Sequence, residues 1–77
     1  IKIREINTNK SESINFNLHQ AIDIEYTNVQ EMDETVAEVI RKGYEYLEDI
    51  YNTGINYIVR QVQVIAYKFK ATENTLV

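Results

Sequence analysis

Cysteine is absent from the 77-residue chain and histidine occurs once, at His19. The first absence removes disulfides and thiolate metal sites together; the second removes a His-based zinc site unless carboxylates supply nearly every ligand. No EF-hand pattern of the D-x-[DN]-x-[DN]-G kind occurs, and no serine stands in a nucleophile-elbow context. The sequence therefore points to no cofactor, no metal and no enzyme. Long apolar runs are missing too: nothing approaches the roughly 18 residues of a membrane-spanning helix, and "IKIREINTNK" has no signal-peptide apolar region. The cytoplasm is the expected compartment, that of the host cell if the gene is viral. The chain starts at Ile1 without a Met, so an initiator or a longer leader is expected to be missing.

A core built from so few residues supplies only a few kcal/mol. With disulfides and metals excluded, oligomerisation or binding to something larger is the remaining support. What is present divides by charge. Residues 23–49 carry nine acids (Asp23, Glu25, Glu31, Asp33, Glu34, Glu38, Glu45, Glu48 and Asp49) against Arg41 and Lys42, a balance of −7. Residues 55–70, "INYIVRQVQVIAYKFK", carry Arg60, Lys68 and Lys70 and no acid, a balance of +3, within a chain of net charge −4. The two stretches present opposite signs.

Periodicity predicts the elements. "IKIREI" alternates as a short strand and "NTNKS" reads as a turn. From Ser13 to Tyr26 the apolar Ile14, Phe16, Leu18, Ile22, Ile24 and Tyr26 fall on even positions, a strand pattern; residues 18–21 fit either a three-residue loop or one continuous bent strand. Met32, Val36, Val39, Ile40, Leu47, Ile50 and Tyr51 follow the 3,4 spacing of a helical face, Asn28 with Glu31 resembles a capping box, and Asn52-Thr53-Gly54 supplies a stop. These predict a helix over about 29–52, with Tyr44, Tyr46 and Tyr51 spread round it. Residues 55–70 compete between helix and strand, and six β-branched residues with three aromatics favour strand. Their apolar parity switches twice between Arg60 and Val64, which predicts a bulge or strong twist there. "ATENTLV", residues 71–77, reads as a flexible tail after a single domain over 1–70.

Candidate sites follow from these faces. His19 lies on the polar parity near Asp23 and Glu25 and reads as a solvent-facing or turn histidine ahead of a general base. Glu34, Glu38, Glu45 and Asp49, with Tyr44, are candidate partner-binding residues on the acidic helix, where a solvated face outweighs a cation site. Val62, Val64, Tyr57 and Tyr67 are candidates for self-association. A strand of sixteen residues would outrun its own helix and pair with a second copy, with Val62 and Val64 near a two-fold axis. Arg60, Lys68, Lys70 and Phe69 are candidates for single-stranded nucleic acid, although a sequence pI near 4.8 opposes a polyanion.

"SINFNLHQAIDIEY" followed by an acidic stretch resembles small phage-encoded proteins in which an "INLGNYES"-type strand precedes an acidic helix. Ile14, Asn15, Ile22, Ile24 and Glu25 match that pattern, while Asn17, Leu18 and His19 depart from its Gly-Asn-aromatic core. The resemblance implies a viral or mobile-element origin and no defined activity. The expected protein is thus a small α+β homodimer, an antiparallel sheet packed on one long amphipathic helix in the order β-β-(β)-α-β. Its expected role is a non-enzymatic module that binds or inhibits a host protein, with nucleic-acid binding through the basic strand as the alternative.

Overall fold

The computed structural model describes residues 2–48 and 55–71. Six strands fill them: β1 (Lys2–Glu5), β2 (His19–Thr27), β3 (Val36–Arg41), β4 (Tyr44–Glu48), β5 (Ile55–Arg60) and β6 (Val62–Phe69), with a single 3₁₀ turn at Gln30–Met32. They form two three-stranded sheets, ordered β1-β4-β5 and β2-β6-β3. Only Lys42 and Gly43 separate β3 from β4, and only Gln61 separates β5 from β6. The two sheets therefore share one long antiparallel ribbon that is interrupted once on each arm. β1 adds antiparallel to β4 at one end, and β2 adds parallel to β6 at the other.

The interruption lies where the parity of residues 55–70 predicted it, at Gln61. Val59 is skipped in the β4–β5 register, and Gly43 packs on the opposite arm so closely that a Cβ there would meet Val62 N at 2.5 Å and Arg60 O at 2.6 Å. Only glycine lets two backbones approach like this. The Gln61 side chain turns outward and donates to the Phe16 carbonyl at 2.8 Å.

Residues 29–48, the described part of the predicted helix over 29–52, hold a 3₁₀ turn and two strands in its place, so the α+β class with a long amphipathic helix gives way to a nearly all-β fold. The cause is visible in the register. Val36 pairs with Ala66 and Val39 with Val64, so a bulge in β3 puts three residues opposite two. Two inward-facing valines are thereby spaced i, i+3, which imitates one helical face. Ile40, counted on that stripe, is 48% exposed. The supposed stop at Asn52-Thr53-Gly54, with Ile50 and Tyr51, lies outside the described residues, as do Asp49 and residues 72–77 of the expected tail.

The core sits on one face of β2-β6-β3. Val36, Val62 and Val64 are fully buried there, joined by Ile6 and flanked by Ile14, Leu18 and Val39. The segment 6–18 covers them and also pairs with the start of β3 on its outer side: Ser11 N–H donates to Val36 O, Val36 N–H to Glu12 O and Ile14 N–H to Glu34 O. Ser11 and Glu34 both hold positive φ, 71° and 59°, where this segment turns against the start of β3. Residues 14–18, read from parity as strand, form a turn organised by Asn15. Its carbonyl accepts from Leu18 and His19 N–H, and its Oδ1 accepts from Asn17 N–H. Strand begins at His19 and runs unbroken to Thr27, so residues 19–21 are not a hairpin loop.

The molecule is elongated, 63 × 21 × 14 Å, with a radius of gyration of 16.3 Å against about 11 Å for a compact chain of this length. Its accessible surface, 5733 Å², exceeds the roughly 4,900 Å² expected for its mass. Strands packed largely as a single layer leave much of their apolar side-chain area outside. Among the described residues no helix is long and apolar enough to cross a membrane.

Candidate interaction surfaces

His19 is 2% exposed, contrary to the solvent-facing position its parity suggested. Ile22 is an extra residue in the β2–β6 register, so His19 and Ala21 share the core face with Val62 and Val64, and parity flips beyond it. The ring's Nδ1 accepts the Asn15 N–H at 3.0 Å. Its proton therefore sits on Nε2, which donates to Thr8 Oγ1 at 3.1 Å, with Glu12 Oε2 at 3.6 Å. In this tautomer neither ring nitrogen is free to take a proton from Thr8. The imidazole instead ties the covering segment to the sheet.

The acidic candidates do not share a face. Glu34 is in the turn before β3, Glu38 is exposed on β3, and Glu45 is 8% exposed in β4, where its Oε2 accepts from Arg4 Nε at 3.0 Å. Among the described residues no group of three or more metal-ligating side chains gathers.

Of the self-association candidates, Val62 and Val64 already fill the core of a single chain. Tyr67 is half-buried in β6, its N–H donating to Thr35 O, and Tyr57 is 40% exposed in β5. Tyr57 stacks on Tyr46 with ring centroids 5.0 Å apart, and Ile3 pairs with Tyr46 from the far side, so a row of three crosses the β1-β4-β5 sheet. Beside it the Arg60 guanidinium lies 5.4 Å from the Tyr44 ring centre and donates twice to Lys42 O.

The nucleic-acid candidates are split along the ribbon. Arg60 lies eight positions before Lys68, roughly 26 Å along the strand. Lys70 sits 5.1 Å from the Tyr26 ring centre, and Phe69, whose N–H donates to Asp33 Oδ1, points from the face opposite Lys68. Arg60, Lys68, Lys70 and Phe69 thus form no continuous track of cations and rings.

Parity did not foresee a groove of about 170 Å³ beside β2, walled by Ile14, Phe16, Ala21, Ile24 and Ala66, with Glu34 and Lys68 at its rim. Phe16 is 68% and Ile24 52% exposed, and Tyr26 continues the apolar face. The outer edge of β2 carries Asp23 and Glu25, and Asp23 Oδ1 accepts the Ile24 N–H at 2.8 Å.

A scan against protein-family models and searches of curated proteins and of solved structures find no match to this chain. The likeness to phage-encoded proteins thus gains no support, and the acidic helix on which it leaned is β3 and β4.

Proposed function

We propose that the protein is a non-enzymatic interaction module that binds a protein partner through the groove beside β2. The observation that carries this reading is an inversion of burial. Among the described residues Ile6, Val36, Ala37, Val62 and Val64 make up the buried apolar set, while Phe16 and Ile24 stand in solvent as walls of a groove able to take a large apolar side chain, with exposed Tyr26 two residues along the same strand. Contiguous exposed apolar surface with a polar rim marks binding sites. A net charge of −4, with Glu34 at the groove's rim, favours a basic partner.

The test uses labelled synthetic peptides that alternate Leu with Lys or Leu with Glu, and a labelled single-stranded oligonucleotide, each titrated at low and physiological salt. The Leu-Lys peptide is expected to bind, to weaken as salt rises, and to lose affinity about tenfold on Phe16→Ser or Ile24→Ser. Equal binding of both peptides, or no binding of either, overturns the reading. Tight, salt-sensitive binding of the oligonucleotide replaces it with nucleic-acid recognition.

A further inference from the structure

Among the described residues the outer edges of β1, β2 and β5 lack a neighbouring strand, and β3 is covered on its outer side only at its start. β1 is short and carries Lys2, Arg4 and Glu5, and β3 carries Glu38 and Arg41, which leaves β2 and β5 to compare. They are built differently. β2 is bulged at Ile22, carries Asp23 and Glu25, and has the Ile24 N–H held by an aspartate carboxylate. Bulges and charges of this kind block strand addition. An antiparallel second copy of β2 would also bring two pairs of carboxylates together on one face.

β5 has none of these carboxylates. "INYIVR" contains no acid, and its one cation, Arg60, is turned back onto Lys42 O and Tyr44. Tyr57, Ile58 and Val59 are exposed at 40, 38 and 55%. β5 has its own irregularity at Val59, next to Arg60, but Ile55–Ile58 before it run in regular register with β4 and carry no charge, and such an edge is a template for another strand. Nothing on it repels its own image, so the self-complementary match that a two-fold interface demands is met.

We infer that a second copy of this chain pairs antiparallel with β5 across a two-fold axis near Tyr57 and Ile58, joining two β1-β4-β5 sheets into one of six strands. The Ile3–Tyr46–Tyr57 row supplies the specificity. Continued through the axis, the Tyr46–Tyr57 stack meets its symmetry mate and becomes a ladder of four tyrosines, the cross-strand aromatic pairing that stabilises sheets. This goes beyond the groove reading, because the interface lies on the other sheet and needs no basic partner. It also differs from the two-fold expected at Val62 and Val64, whose side chains are spent on the core.

Sedimentation equilibrium from micromolar to submillimolar concentration tests it. The parent is expected at twice the 9.1 kDa chain mass. Ile58→Lys and Ile58→Glu should each sediment as monomers with the parent's far-ultraviolet dichroism, and their equimolar mixture should regain the doubled mass. Ile22→Lys, on the β2 edge, should stay dimeric. Because the chain has no cysteine, a Tyr57→Cys variant can form a protein–protein disulfide only between chains; exchange with oxidised glutathione, through the mixed disulfide and with release of two reduced glutathiones, should give a covalent dimer. That arm holds even if the lysine variant unfolds. A parent that is monomeric throughout, Ile58 variants that keep their folded dimer, or dissociation by Ile22→Lys alone would overturn the inference. The peptide titration reports separately on the groove, so either idea can fail while the other stands.

Discussion

In the β2-β6-β3 sheet Val36, Val62 and Val64 are wholly buried beneath residues 6–18, whereas the β1-β4-β5 sheet holds Ile3 at 65% and Val59 at 55% exposure. Both draw on the same ribbon, residues 36–48 against 55–69. What distinguishes them is the covering segment, since β1 leads into a chain that crosses only the far sheet. Burial sets local stability, so one end anchors the fold and the other remains available for pairing.

The comparison breaks entirely at the point the two sheets share. Gly43→Val should abolish cooperative unfolding, a loss of about 3 kcal/mol or more, because the added carbons meet the backbone of residues 60–62 and both arms must part. Dichroism followed through a urea titration measures it. Within the anchored sheet, Val64→Ala should cost about 2 kcal/mol by leaving a cavity among fully buried neighbours. His19→Leu should follow at about 1.5 kcal/mol, since the Asn15 N–H loses the buried imidazole as its acceptor, and faster hydrogen exchange at Asn15 would report it.

In the open sheet the effects shrink. Tyr46→Ala should cost about 1 kcal/mol, through loss of the stack on Tyr57, and should speed exchange in β4 and β5 more than in β6. Lys42→Ala removes an exposed pair with Glu5 at 3.5 Å and should change stability by less than about 0.5 kcal/mol. Should Tyr46→Ala outweigh Val64→Ala, the assignment of anchor and open end would be reversed.

The sequence was most legible where local chemistry and fold agreed. Residues 55–70, dense in β-branched and aromatic side chains and free of glycine and acid, form strand with a break at Gln61. It misled where bulges altered the period. The extra residue in β3 produced the helical spacing of Val36 and Val39, and the one at Ile22 hid the burial of His19 by moving it to the other parity. A contrary signal stood in the same stretch. Val36, Val39, Ile40, Tyr44 and Tyr46 favour strand, and Gly43 in a helix interior would be unfavourable by about 1 kcal/mol. The groove beside β2 was not legible, because its walls come from the turn at residues 14–16, β2 and β6, which only the tertiary fold brings together.

The parallel pairing of β2 with β6 has a consequence in time. All of residues 28–61 intervene between the two strands, so β2 has no partner until most of the chain exists. On a ribosome the N-terminal residues emerge first and wait. Of the pairings only β4 with β5 joins strands consecutive in the chain and β3 with β6 extends that hairpin, so contact order predicts that this ribbon forms ahead of both outer strands and that closure of β2 is slower. In that order Val62 and Val64 are uncovered until segment 6–18 folds back over them, so slowing that step is expected to favour aggregation.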